Sequence, residues 1–65
     1  MAIKKVEGEV LWLDAKGGAL NVKDAKGSVH IIRAKPNDLM KIEKGNKVEI
    51  HLDGSWVKYI KKRFS

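Results

Sequence analysis

Several residue types are absent from this sequence or scarce in it. Its 65 residues include no cysteine, one proline, two tryptophans, one tyrosine and one phenylalanine. Without cysteine, neither a disulfide framework nor a thiolate zinc site can stabilise the fold. No apolar run approaches the roughly 18 residues that a membrane-spanning helix needs, and the N-terminus lacks the apolar segment of a secretory signal. These absences predict a protein with no membrane span and no disulfide.

The residues that are present predict one small, basic, globular domain covering residues 1–65. Hydrophobic residues make up 43% of the chain, which is too many for a disordered segment. Lys and Arg number 14 against 8 Asp and Glu, so the formal net charge is +6. A domain of this length buries only about 60% of the surface that its unfolded chain exposes, so its core has to be compact.

Gly and Asp recur at short intervals and predict turns at residues 14–18, 24–27, 43–46 and 53–54. The segments between them alternate with period two and carry β-branched residues, which indicates strands. We predict five: residues 3–14, 19–24, 28–34, 47–52 and 55–64. The tetrapeptide Asp-Ala-Lys-Gly occurs twice, ten residues apart, and we interpret it as two similar hairpin turns rather than an internal repeat.

Residues 35–45 interrupt the strand pattern. Pro36 suits the first position of a helix, and Leu39 and Ile42 lie three residues apart, on one face of a helical turn. We predict one or two helical turns that plug the end of a barrel, with Met40 in the core or the plug. The predicted class is therefore all-β: a five-stranded OB-fold barrel with a short helix between strands 3 and 4. Gly8 inside the long first strand predicts a bend or bulge. An SH3-like barrel is the alternative fold.

Apolar and glycine positions carry a resemblance over most of the chain. They are Gly8 to Asp14, Leu20-Asn21-Val22, Pro36 to Leu39, Ile42, Gly45 and Lys47 to Ile50. This frame resembles the small periplasmic copper- and silver-binding OB domains, which bind metal through a His, a Trp and two Met on strands 2 and 3. The corresponding positions here fall near Asp24, Ser28 and His30, without the methionine pair. Soft Cu(I) and Ag(I) need thioether or thiolate ligands, so the resemblance extends to the fold, and we predict no metal site. His30 and Asp24 are the candidates that would have to form one.

A second resemblance implies an RNA partner. The Gly-x-Val start at residue 8, the apolar second strand and the Gly-x-Lys-Val step at residue 45 are similar to the S1-type OB domain of the small bacterial initiation factor that binds the ribosome.

The net charge is concentrated at the C-terminal end. Residues 55–65 hold four cations, no acid and three of the four aromatics. Cations attract phosphates and aromatic rings stack on unpaired bases, so this mixture is typical of a single-strand binder. The candidate contacts in this segment are Trp56, Lys58, Lys61, Lys62 and Arg63. A barrel of 65 residues also needs its few large side chains inside, which favours a core position for Trp56 and Tyr59.

Three further candidate contacts lie on the first three strands. Trp12 points outward if strand 1 bulges after Gly8, with Val10 and Leu13 inward, and points inward under strict alternation; both alternatives remain open. Lys23 and Arg33 lie on strands 2 and 3, which OB domains usually offer to ligands. As ordinary strand residues they also suit a solvent-facing position.

Signals for an enzyme are missing. The sequence has no cysteine nucleophile, no supported Ser/His/Asp constellation and no phosphate-binding glycine loop. A chain this small also has difficulty enclosing a water-excluding pocket of several hundred cubic ångströms. We predict a non-enzymatic module without a cofactor that binds single-stranded DNA or RNA with weak sequence preference. The alternative is a cell-envelope module related to the metal chaperones, acting in protein interaction or metal efflux. The first function implies the cytoplasm, and the second implies the periplasm after removal of a signal.

Overall fold

A computed structural model describes residues 3–54 and 56–63 of the chain. The structure is all-β apart from one short helix. Its elements in chain order are β1 (Ile3–Asp14), β2 (Ala19–Asp24), β3 (Val29–Arg33), α1 (Pro36–Leu39), β4 (Lys47–Asp53) and β5 (Trp56–Arg63). The five predicted strands and the helical interruption are confirmed, with boundaries within a residue or so. The predicted ends of β5, Ser55 and Phe64, lie outside the described residues.

The five strands form one sheet that closes in a ring in the order β1-β2-β3-β5-β4. β1 has 12 residues and pairs with two neighbours. Its residues 3–9 run antiparallel to β4, and its residues 8–14 run antiparallel to β2. Because one strand belongs to both halves of the sheet, it has to bend where the halves meet, and the described ring depends on that bend.

Gly8 occupies the bend. It pairs with Val48 of β4 on one side and with Asp24 of β2 on the other. A Cβ atom at this position would overlap the carbonyl oxygen of Lys23 and would lie 3.0 Å from a methyl group of Val22. Glycine is required here because the backbone of β2 approaches β1 too closely for any side chain.

Alternate residues of the strands build the core inside the ring. The largest fully buried side chains on the strands are Val10, Leu20, Val22, Ile32, Val48 and Ile50. Val57 and Ile60 of β5 are partly buried against them. This alternation is the period-two pattern of a strand with one face on a core.

A bulge in β1 decides the orientation of Trp12. The pairing with β2 shifts between Val10, which is opposite Val22, and Trp12, which is opposite Asn21. The extra residue, Leu11, lets Val10 and Leu13 pack on the core while Trp12 remains 48% exposed. Of the two alternatives for Trp12, the outward one is therefore correct.

Asp side chains organise both Asp-Ala-Lys-Gly turns, as predicted. Asp14 Oδ1 accepts the backbone N–H of Gly17 at 3.1 Å, and Asp24 Oδ1 accepts that of Lys26 at 2.9 Å. Gly18 and Gly27 supply the positive φ values of 71° and 87° that these turns need.

α1 and the residues after it contribute side chains to the core. Pro36 occupies the first turn, and both Leu39 and Ile42 are buried in the core cluster. Met40 is 75% exposed, so the prediction of a core or plug position for it was wrong. The backbone of Met40 ends the helix and turns its side chain away from the face that Leu39 and Ile42 share. With four residues, α1 gives the described chain no helix that could cross a bilayer.

Candidate functional site

The outward side chains of β1, β2 and β3 form one continuous surface, which we call the β1–β3 outer face. Cross-strand pairing places these side chains in register: Trp12, Asn21 and Ile31 form one row, and Glu9, Lys23 and Val29 form the next. Arg33 lies on the same face, two residues after Ile31 on β3, and pairs with Trp56 of β5. The surface comprises Glu9, Trp12, Asn21, Lys23, Val29, Ile31, Arg33 and Trp56.

Apolar groups are unusually exposed on this face. Ile31 is 79% exposed, Val29 51%, Trp12 48% and Trp56 56%. Isolated exposed apolar residues are common on protein surfaces, but several on one face form an apolar patch, and such patches mark contact surfaces. The row of Trp12 and Ile31, separated by Asn21, is therefore a candidate contact area.

The cations of this face are available for a partner. Neither Lys23 nor Arg33 makes an ion pair with any residue in the described ranges. The guanidinium carbon of Arg33 lies 6.0 Å from the ring centroid of Trp56, at the outer limit of a cation–π contact. This contact leaves the guanidinium hydrogens of Arg33 able to donate to a phosphate or carboxylate.

The outward side chains of β4, β5 and the first half of β1 form a second surface, the ion-pair face, defined by Lys5, Glu7, Glu49, His51, Tyr59 and Arg63. Arg63 Nη1 donates to Glu7 Oε2 at 2.8 Å and lies 3.6 Å from Glu49 Oε1, while Lys5 lies 3.2 Å from Glu7. The Nε2–H of His51 donates to Glu49 Oε2 at 2.8 Å. Lys5, Glu7, Glu49 and Arg63 thus match one another's charges.

The environment of Glu49 favours its ionised form. The hydrogen bond from His51 is the largest cause that lowers the pKa of this carboxyl, and the nearby charges of Lys5 and Arg63 lower it further. The ring of Tyr59 stacks on the ring of His51, with ring centroids 4.2 Å apart and planes 15° from parallel. One face of the Tyr59 ring is therefore already occupied.

The structure divides the predicted contacts between the two faces. Trp12, Lys23, Arg33 and Trp56 come together on the β1–β3 outer face, whereas Arg63 belongs to the ion-pair face. Lys61 is opposite Glu49, Lys62 is opposite Val48, and Lys58 is the extra residue where the β4–β5 register shifts. The lysines of β5 are exposed but do not border Trp12.

The expectation that Trp56 and Tyr59 lie in the core was wrong. Trp56 is opposite Asp53, and Tyr59 is opposite His51, and both partners point outward from β4. Val57 and Ile60 take the inward positions of β5 instead. Pairing with β4 fixes this choice, because the inward positions of β4 are those of Val48, Ile50 and Leu52.

Asp24 and His30, the metal candidates, bond to each other. His30 Nε2 lies 2.7 Å from Asp24 Oδ2, and Asp24 Oδ1 also accepts the backbone N–H of Ser28 at 3.0 Å. The bond from His30 is the main cause that lowers the pKa of Asp24, followed by the bond from Ser28. Within the described residues, no third His, Cys, Asp or Glu completes a metal-binding group with this pair.

The described chain also forms a cleft of about 460 Å³ at one end of the ring. It is open to solvent, and it is lined by acids and bases together, including Glu7, Glu9, Lys23, Lys47 and Arg63. A cleft of this size was not predicted from the sequence, because the lengths of strands and loops determine the shape at the end of the ring. The mixed lining selects neither an anion nor a cation.

Val29 and Ile31 are surface residues that the sequence pattern did not predict. Segment 29–33 has apolar side chains at 29, 31 and 32, so alternation alone is ambiguous. Leu20 opposite Ile32 and Val22 opposite His30 settle the orientation in the sheet, and they turn Val29 and Ile31 outward. No local sequence signal contains this register information.

The chain was compared with known proteins in three ways. No family model, curated protein or solved structure matches it.

Proposed function

We propose that this chain is a non-enzymatic OB-fold module that binds single-stranded DNA or RNA through its β1–β3 outer face, with weak sequence preference. The strand order β1-β2-β3-β5-β4, the long shared first strand and the helix before β4 support the OB assignment. In that fold, the face of strands 2 and 3 is the usual ligand surface.

The observation that carries the proposal is the row of Trp12, Asn21 and Ile31 next to two cations that make no ion pair within the described residues. An exposed indole provides a flat surface on which any base can stack. Lys23 and Arg33 lie on the same face, where they would neutralise phosphates of the strand whose bases contact Trp12. Stacking and phosphate contacts do not distinguish bases, which is why we propose weak preference.

Trp56 extends this surface beyond β3. It is in register with Arg33, and neighbouring strands are about 4.8 Å apart. Trp12 and Trp56 are separated by three such steps, or about 14 Å. A single strand crossing the face from Trp12 to Trp56 would place its phosphates near Arg33, and Lys23 borders the start of that path, in the row on the other side of Trp12.

The test is an NMR titration of isotope-labelled protein with an oligothymidylate of about 8 nucleotides, within the site size of one OB domain. We expect shifts concentrated in β1 after Gly8, in β2 and in β3. The log–log slope of affinity against salt should be about −0.7 for each phosphate neutralised. An oligouridylate of equal length tests RNA in the same way.

Trp12→Ala and Tyr59→Ala make a matched pair, because the two side chains are 48% and 47% exposed. We expect Trp12→Ala to weaken binding by about 1–3 kcal/mol, or roughly 5- to 150-fold, with little change in thermal stability. Tyr59→Ala should leave affinity close to wild type. Absence of binding at low salt, affinity independent of salt, or equal losses in the two variants would contradict the proposal.

A further inference from the structure

The edge of β3 that faces away from β2 has no strand beside it over most of its length. In the described part of the chain, β3 meets β5 only where Arg33 is opposite Trp56. β5 runs onward from that point, parallel to β3, so it does not return along residues 29–32. This stretch of β3 is a sheet edge within an otherwise closed ring.

The hydrogen-bond pattern shows which backbone groups face the open edge. Asp24 N–H donates to Ser28 C=O at 2.9 Å, and Ala34 N–H donates to Gly18 C=O at 3.0 Å. In an antiparallel pair every second residue exchanges such bonds. His30 and Ile32 therefore face β2, and the N–H and C=O groups of Val29 and Ile31 point to the open edge.

The side chains at this edge do not protect it. Val29 and Ile31 are apolar and 51% and 79% exposed. Native proteins usually discourage pairing at exposed edges with charged side chains, lysine above all. β5 follows that rule with three lysines among its eight residues, whereas the edge of β3 over residues 29–32 has none.

We propose that β3 of a second copy of this chain pairs antiparallel with this edge and makes a two-fold dimer. Val29 of one copy lies opposite Ile31 of the other, and both exchange N–H···O=C bonds, with His30 on the two-fold axis. This register uses all the free backbone groups of residues 29–31 and leaves the Arg33–Trp56 pairing intact.

The charge pattern of β3 also fits a second copy in this orientation. Arg33 carries the only formal charge of the strand at neutral pH. Antiparallel pairing puts the two Arg33 side chains at opposite ends of the strand pair, whereas parallel pairing would put like charges side by side. A second copy thus matches the edge in both hydrogen bonding and charge.

The dimer would join two β1–β3 outer faces into one. The strand order across the interface becomes β1-β2-β3-β3-β2-β1, and the row of Trp12, Asn21 and Ile31 in each copy continues into the row of Val29, Lys23 and Glu9 in the other. The proposal goes beyond nucleic-acid binding, since the pairing needs no ligand and is measured without one.

The test is sedimentation of the protein alone over a concentration series. For the wild type, we expect the apparent mass to rise from that of a monomer to that of a dimer as concentration increases. For Ile31→Lys, which places a charge at the edge, we expect the mass of a monomer at every concentration. Ile3→Lys is the matched control, because Ile3 is a 48% exposed isoleucine of β1. It should dimerise like the wild type.

Amide hydrogen exchange of the wild type tests the same contact without relying on the folding of a variant. Exchange at Val29 and Ile31 should slow as concentration rises, because their N–H groups become bonded. A protein that is monomeric at every concentration would overturn the proposal. A dimer that forms without slowing these two amides, or that persists in Ile31→Lys, would overturn it as well.

Discussion

The β1–β3 outer face and the ion-pair face both carry aromatic and cationic side chains, but they differ in how those groups are partnered. On the ion-pair face, Arg63 contacts two carboxylates and Tyr59 stacks on His51. On the β1–β3 outer face, Trp12 and Ile31 are exposed in one row, and Arg33 makes no ion pair with a described residue. The same residue types therefore serve internal structure on one face and remain available on the other.

This difference shows why the concentration of charge at the C-terminal end did not identify which cations are available to a partner. Residues 55–65 hold the largest excess of cations, yet Arg63 at the end of β5 is matched to Glu7, which is 56 positions earlier in the chain. Lys23 and Arg33 belong to a less basic part of the sequence but share a face with Trp12. Availability depends on cross-strand neighbours, and those are distant in sequence.

The largest expected effect comes from the residue where β1 passes from one face to the other. Gly8→Ala places a Cβ atom on the carbonyl oxygen of Lys23, so the pairing of β1 with β2 has to open. We expect a loss of about 3 kcal/mol or more in the free energy of unfolding, measured by urea denaturation.

Gly54→Ala is the control for this variant. Gly54 has a φ of 67° but nothing within 4 Å of the added atom, so only backbone strain of about 1 kcal/mol should result. Equal losses of free energy of unfolding in the two variants would show that the close approach of β2 to Gly8 does not make glycine necessary there.

A smaller effect is expected on the salt dependence of binding when one arginine from each face is replaced. Arg33→Ala removes a cation from the β1–β3 outer face, so we expect weaker oligothymidylate binding and a log–log salt slope shallower by about 0.7. Arg63→Ala removes a cation already paired with Glu7 and should leave that slope unchanged. Fluorescence titrations at several salt concentrations measure both. If Arg63→Ala reduces the slope as much as Arg33→Ala, the distinction between the faces fails.

The smallest expected effect is a dependence of the free energy of unfolding on pH in the acidic range. Since the folded-state pKa of Glu49 is lowered, chiefly by the bond from His51, ionised Glu49 stabilises the fold above the ordinary carboxyl pKa of about 4.3. This contribution is lost as pH falls below that value and through the depressed folded pKa. Asp24, bonded to His30, acts in the same sense.

Glu49→Gln and Asp24→Asn should each flatten the decline of stability between about pH 5 and pH 2, as measured by denaturation at a series of pH values. Tyr59→Phe, which keeps both carboxylates, should retain the decline of the wild type. Identical pH profiles for the wild type and the two carboxyl variants would contradict this account.

Much of the secondary structure followed from local patterns. Gly and Asp at the turns, period-two alternation and Pro36 predicted all five described strands and α1, because turns and strands depend on neighbours a few residues away. The inward or outward orientation of side chains was harder to predict. Trp56 and Tyr59 were expected inside from their size, and the register with β4 placed them outside.

For the candidate site, the sequence identified Trp12, Lys23, Arg33 and Trp56 without showing that they share a face. It gave no indication of Ile31, because three apolar residues in segment 29–33 fit either orientation. The β1 bulge at Leu11 and the pairing of β3 with β2 resolved both questions. A shift of one residue in either register would reverse every side chain that follows.

The sequence by itself determined that this is a small, basic, all-β protein with five strands, a short helix and aspartate-organised turns. These properties arise from composition and from interactions within a few residues. Only the tertiary structure decided that the cation of Arg63 is matched while that of Arg33 is available, and that Trp12 and Ile31 lie in one row of the same face. Pairing among the five strands sets those relationships, and such pairing joins residues far apart in the chain.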